Sequence, residues 1–116
     1  MGANSLEIAE VRSGQACVLA LSGRIDSTNA DQLMARVSKL FEAGEKDVVV
    51  DFKEVLYLTS AAFRVLLVAT DEAERNAARF VLCSVVGQVR TLFEMGGLLD
   101  AFTIHVSREE ALARVG

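Results

Sequence analysis

Strand-like and helix-like patterns alternate along this 116-residue chain. They predict an α/β layer fold in which a central, mostly parallel or mixed β-sheet of about four to five strands is covered by about four helices. Two observations carry the prediction. DVVVD (47–51) is an unalternated β-branched run, the pattern of a strand covered on both faces. Between positions 30 and 41 the apolar residues recur at helical spacing instead. Proline is absent and no low-complexity stretch or repeat interrupts the chain, so 1–116 reads as a single domain of ordinary size.

LEIAEV (6–11) is expected as an edge strand, turned at Ser13 and Gly14. ACVLALS (16–22) follows as a more buried strand, closed by Gly23. In the first helix Ala30, Leu33, Met34, Val37, Leu40 and Phe41 form one stripe, opposite Asp31, Gln32, Arg36 and Lys39. Asp26, Ser27 and Thr28 offer N-caps, and Gly44 takes the position of a C-terminal glycine. After DVVVD comes a loop carrying Val55 and Tyr57, then a second helix with Ala62, Val65, Leu66, Ala69 and Ala73 on one stripe and Phe63 and Leu67 beside it. Arg64, Asp71 and Arg75 share its polar face, with Asp71 and Arg75 spaced to pair. RFVLCS (79–84) is a buried strand, and Val89, Leu92 and Phe93 make a short helix that stops at Gly96 and Gly97. FTIHV (102–106) is the last strand. Ser107-Arg108-Glu109-Glu110 opens a terminal helix with a capping box, in which the hydroxyl and Glu110 serve each other's backbone amides.

Composition excludes several functions. With 52% hydrophobic and 24% charged residues the chain packs a core. A net charge of -4 and 12 scattered Lys and Arg residues make neither a nucleic-acid stripe nor a polybasic membrane anchor. MGANSLEIAE (1–10) lacks the basic and apolar regions of a secretory signal. Leu6 stands where a myristoylation motif beginning at Met1-Gly2 requires Ser or Thr. No uncharged apolar run approaches the roughly 18 residues of a membrane span. The expectation is a cytoplasmic protein, a monomer or weak dimer, without nucleic-acid binding or direct membrane insertion. Cys17 and Cys83 sit in strand-like apolar runs and read as buried free thiols; with one histidine they are too few for a zinc site, and no metal or cofactor is called for. Nor is a catalytic residue expected. His105 alternates with Ile104 and Val106 in a strand, Asp47 and Asp51 bracket the valines at what read as opposite strand ends, and neither a Walker A sequence nor a glycine-rich dinucleotide turn is present.

VLYLTSAAFRVLL (55–67) is nearly all apolar except for Thr59, Ser60 and Arg64. A hydroxyl at a helix start is commonly an N-cap worth about 1 kcal/mol. Yet where Ser107 has an acidic residue three positions on, Ser60 has Phe63, and nothing acidic follows until Asp71, so no carboxylate opposes an incoming phosphate. Arg64 lies one turn further along, and helical side chains lean toward the N-terminus, which brings its guanidinium toward the Ser60 hydroxyl. A phosphate on Ser60 would meet free amides, the positive end of the helix and Arg64 together. Residue spacing leaves both readings open, along with a third in which this corner binds a small anion.

TSAAFRVLL, preceded by VVVDF and VLYL, resembles the signature of the STAS domain of bacterial anti-sigma factor antagonists. LSGRIDSTNADQL resembles that family's strand leading into its first helix, and VRTLFEMGGLLDAF its late helix ending in a Gly-Leu turn. The likeness spans nearly all of positions 5 to 113 in the right order. It implies a non-enzymatic partner switch. The unmodified protein binds a serine-kinase anti-sigma factor, the kinase phosphorylates the matching serine, Ser60, and a serine phosphatase resets it. Thr59 is the alternative acceptor. The implied partner surface is the N-terminal end of the 60–75 helix with the 23–27 turn, involving Asp26, Thr59, Ser60, Ala61 and Arg64. Two positions depart from the pattern. Thr59 stands where the family has Asp or Ser, and Ala62 where it has a glycine, which sets a methyl against a partner requiring close approach. The alternative implied role is a constitutive STAS-fold subunit of a larger assembly, such as a lipid-transport or stress-sensing complex, with no phospho-switch.

Overall fold

A computed structural model describes residues 5–115; the reading made on Met1 and Gly2 lies outside them. The elements run β1 (Leu6–Ser13), β2 (Ala16–Ile25), α1 (Ala30–Glu42), β3 (Asp47–Leu58), α2 (Ser60–Arg75), β4 (Arg79–Cys83), α3 (Gly87–Met95), β5 (Ile104–His105) and α4 (Arg108–Val115), with a 3₁₀ turn at Leu99–Ala101. The sheet order is β1-β2-β3-β4-β5. β1 and β2 form an antiparallel hairpin and the other neighbours are parallel, so the sheet is mixed. The α/β reading and the edge position of β1 are as expected.

Strand alternation divides the interior in two. Cys17, Leu19, Leu21, Val48, Val50, Phe52, Phe80 and Leu82 point into the larger core, built with α1, α2 and α3. Ala16, Val18, Val49, Val81 and Cys83 point the other way, under Ala111 and Val115 of α4. That is why three consecutive valines occur: β3 is covered on both faces. Phe93 is the hub of the larger core, with edge-on contacts to Phe52 at 5.9 Å, Phe63 at 4.9 Å and Phe102 at 5.8 Å between ring centres.

α4 brings few apolar residues and is held to the sheet by an ion pair at its N-terminal end and, at its C-terminal end, by hydrogen bonding to an arginine that is itself ion-paired within the sheet. Arg108 Nε donates to Asp51 Oδ2 at 2.8 Å, and Arg79 Nε to Asp47 Oδ1 at 2.7 Å. Arg79 Nη2 also donates to the Val115 carbonyl at 2.7 Å. Both aspartates are buried, so each requires its arginine. Asp51 lies in mid-strand and not at a strand end, because β3 is longer than its valine run.

Five boundaries differ from expectation, each for a local reason. β2 does not close at Gly23 but passes through it to Ile25. Gly23 has φ +98°, and the register with β3 shifts on either side of it. The expected loop at Val55 and Tyr57 is strand, pairing Val55 with Gly23 and Leu58 with Ile25. Alternation failed to announce it because Lys53 and Glu54, then Leu56 and Tyr57, face outward in pairs. β5 is only Ile104–His105 and not 102–106. The 3₁₀ turn precedes it, and the Val106 N–H is taken by the Glu110 carboxylate at 2.7 Å. The capping box is therefore displaced by one residue: the Ser107 hydroxyl accepts from the Glu110 N–H, but Glu110 accepts from Val106 instead of Ser107. Finally, none of Asp26, Ser27 and Thr28 caps α1, whose N-cap position is Asn29 with no side-chain cap bond.

Candidate functional site

The site forms where β2 and β3 end side by side. Ile25 is the register partner of Leu58, so the residues that follow, Asp26 and Thr59, leave the sheet next to each other. The Thr59 N–H donates to the Ile25 carbonyl at 3.1 Å and extends that pairing by one bond.

Thr59 is the N-cap residue of α2, in extended conformation. Its carbonyl accepts from Ala62 N–H at 2.9 Å and Phe63 N–H at 3.3 Å. Its side chain makes no cap bond; the hydroxyl is half-buried and donates to the Ile25 carbonyl at 3.5 Å. Ser60, the first helical residue, is exposed, and its hydroxyl has no hydrogen-bond partner among the described residues. The cap reading, one of those that residue spacing left open, is thus not realised by this hydroxyl. The Ser60 and Ala61 amides open the helix without an intrahelical acceptor, and no acidic residue lies in the first turn.

Asp26 is committed to its own turn. Its Oδ1 accepts from the Thr28 N–H at 2.9 Å and the Thr28 hydroxyl at 2.5 Å, and these bonds hold its carboxyl below the usual carboxylate range. Asn29 closes the turn, accepting from the Asp26 N–H and donating to the Arg24 carbonyl, both at 2.9 Å. Sequence spacing did not single out Asn29 or Thr28 for this work, since Asx and hydroxyl turns look like N-caps until the helix start is known. Beside the turn, the Arg24 guanidinium lies 5.9 Å from the Tyr57 ring centre. Tyr57 and Leu56 are exposed where β3 runs past the end of β4.

Of the implied partner residues, the fold places Asp26, Thr59, Ser60 and Ala61 at the paired β2 and β3 ends, and Arg64 one turn along α2. Arg64 is exposed and is not bonded to Ser60; it makes no side-chain hydrogen bond or ion pair among the described residues. Ala62 corrects an expectation. It is fully buried in the main core, so its methyl faces inward, away from any partner. Leu56 and Tyr57 were missed because they read as loop.

Elsewhere, Cys17 and Cys83 are buried free thiols. Burial raises both, Cys83 to about 11, where the Asp51 carboxylate adds to the effect. His105 Nδ1 lies 3.7 Å from Glu110 Oε1. Among the described residues, no helix is long and apolar enough to cross a membrane.

Residues 7–111 match the family model of the STAS domain. The chain is 35% identical over 96 residues to a candidate anti-sigma factor antagonist, BtrV of Bordetella bronchiseptica, spanning 83% of each protein. Its fold is similar to that of an anti-sigma factor antagonist from Mycobacterium paratuberculosis, with a TM-score of 0.86 over 97% of this chain and 95% of the other at 20% identity. It is also similar to the phosphorylated form of the Bacillus cell fate determinant SpoIIAA, with a TM-score of 0.72 over 97% and 100% of the two chains at 22% identity.

Proposed function

The chain belongs to the STAS domain family, among the anti-sigma factor antagonists, and from that premise we propose that it is a partner-switching protein controlled at Ser60. Unmodified, it binds an anti-sigma factor that is also a serine kinase. The Ser60 oxygen attacks the γ-phosphorus of ATP held by that kinase, ADP leaves, and the hydroxyl proton passes to a base of the kinase. The phosphorylated chain dissociates, and a serine phosphatase hydrolyses the phosphoserine to reset it. The setting is the cytoplasm, and the chain itself turns over no substrate.

The observation that carries this reading is the free hydroxyl of Ser60. It stands exposed on the first residue of α2, is not consumed as a helix cap, and no carboxylate in the first turn opposes it. Thr59 is the lesser acceptor, because its hydroxyl is half-buried and turned to the Ile25 carbonyl. A phosphate on Ser60 adds about -1.5 to -2 charge beside two open amides, which the domain accommodates without unfolding. The same charge within a docked surface breaks complementarity with the partner. Asp26, with its lowered pKa, keeps its charge through the neutral range and defines the other wall of that surface.

The test is the intact mass of the protein recovered from its own cells, with and without phosphatase, alongside Ser60→Ala. One phosphoryl group, removed by phosphatase and absent from the variant, is the expected result. Purified Ser60→Asp is expected to lose affinity for the anti-sigma factor while Ser60→Ala keeps it. No phosphoryl group under any growth condition, with equal binding by both variants, would instead make the chain a constitutive subunit of a larger assembly.

A further inference from the structure

The outward face of α2 carries more than Ser60. At 3.6 residues per turn, Ser60, Arg64, Leu67 and Asp71 fall within about 60° of one another around the helix, and Val68 flanks Arg64 on one side. At 1.5 Å per residue, Arg64 stands about 6 Å and Leu67 about 10 Å beyond Ser60 along the axis. Leu67 and Val68 are 41% and 45% exposed, although the buried stripe of α2 is complete without them. Two large apolar side chains in the middle of an otherwise polar face are what a docking surface requires and a solvated face does not.

Charge supplies the second observation. Six of the nine arginines, at positions 12, 36, 75, 79, 90 and 108, hold a carboxylate within the chain. Arg24 lies over Tyr57. Two arginines, Arg114 in the last turn of α4 and Arg64, have no such partner among the described residues, and of these Arg64 stands between the candidate phosphoacceptor and the apolar pair.

We infer that Arg64 is a shared cation with two exclusive partners. Resting on the switching role proposed above, the inference is that the anti-sigma factor packs an apolar side chain against Leu67 and Val68 and sets a carboxylate against Arg64. A phosphate on Ser60, one turn away, takes the same guanidinium intramolecularly. Phosphorylation thus withdraws from the partner the cation it needs, in addition to repelling the partner's carboxylate. A single guanidinium cannot serve both anions at full strength, and the intramolecular one has the far higher effective concentration.

The experiment has two arms. In the first, phosphoserine is placed at position 60 by genetic encoding and its ³¹P resonance is titrated without any partner. The second phosphate pKa, ordinarily about 6, is expected to be lower in the Arg64 protein than in Arg64→Gln. Equal values in the two proteins overturn the capture of Arg64. The second arm measures binding of the unmodified chain to the anti-sigma factor encoded nearest to it in its genome. Arg64→Gln and Val68→Asp are each expected to weaken binding by about tenfold or more, while Val106→Asp, at another exposed valine, leaves it unchanged. Both α2 positions are exposed, so folding is not at stake. Full binding by Arg64→Gln and Val68→Asp, with Ser60→Asp still unable to bind, overturns the shared cation and leaves the Ser60 switch standing. If the unmodified chain does not bind the anti-sigma factor at all, both readings fall together.

Discussion

Gly23 offers the sharpest test of how the site is built, because its substitution by alanine carries two costs that a second glycine separates. Gly23 has φ +98°, and a Cβ placed on it would lie 2.1 Å from the backbone oxygen of Ser5. An L residue held at positive φ costs about 1–2 kcal/mol. The clash is with backbone, so no side chain can swing aside; the start of β1 must move away from β2. That movement loosens the Leu6–Gly23 pairing and begins to expose Leu6, which is only 5% accessible. Full exposure of one leucine is worth about 2 kcal/mol, so Gly23→Ala is expected to destabilise the protein by about 3 kcal/mol, or roughly 10 °C in Tm. Gly14 supplies the control: it has φ +60°, and a Cβ added there would meet nothing within 4 Å, so Gly14→Ala bears the conformational cost of about 1 kcal/mol alone. Urea unfolding of both variants, read with amide exchange at Leu6 and Ile8, measures the difference. Equal destabilisation, or unchanged protection at Leu6, would refute the claim that Gly23 is required for the close approach of β1. Gly23 also lies three residues before Asp26, so a shift there is expected to perturb the turn beside Ser60.

Phe93→Ala removes the ring on which Phe52, Phe63 and Phe102 converge; a loss of about 3–5 kcal/mol is expected in chemical denaturation, and less than about 1 would contradict the hub. Arg108→Met leaves the buried Asp51 carboxylate with only the Lys53 N–H, and since water reaches the partly exposed arginine side, a loss of about 2 kcal/mol is expected, largely restored by adding Asp51→Asn. Cys83 is raised from 9.0 to about 11 in the folded protein, so between those pH values the unfolded chain loses this proton first. Its contribution is therefore intact below about pH 9 and lost as pH rises toward about 11, with a slope of up to about 1.4 kcal/mol per pH unit. Stability measured across about pH 8–11 is expected to fall less steeply in Cys83→Ala, and parallel curves would show that the thiol does not contribute.

Legibility followed periodicity. The stripe of α2 was readable to the residue, because Ala62, Val65, Leu66, Ala69 and Ala73 answer to one helical period and are the residues buried. The buried thiols were readable for the same reason, lying within apolar strand runs. Where two residues in succession face outward, as at Lys53 and Glu54, alternation breaks and the strand reads as a loop, which hid Leu56 and Tyr57. In the site, Ser60 was legible as the first residue of a helix. Its freedom from capping was not, since that depends on Thr59 taking the N-cap position, where its N–H is tied to a carbonyl 34 residues away.

What the amino-acid order determined by itself is local: the helical stripes, the doubly covered valine strand, and a hydroxyl pair at a helix start, all consequences of side-chain spacing against a period of about 3.6 or about 2. What only the tertiary structure decided is who meets whom. It joined Ile25 to Leu58 and so set Asp26 beside Thr59. It drew Asp47 and Asp51 to arginines 32 and 57 residues away. It turned the Ala62 methyl inward and left Arg64 without a partner among the described residues. Such pairings depend on strand order and register, which are selected by the burial of the whole core and not by any one segment's pattern.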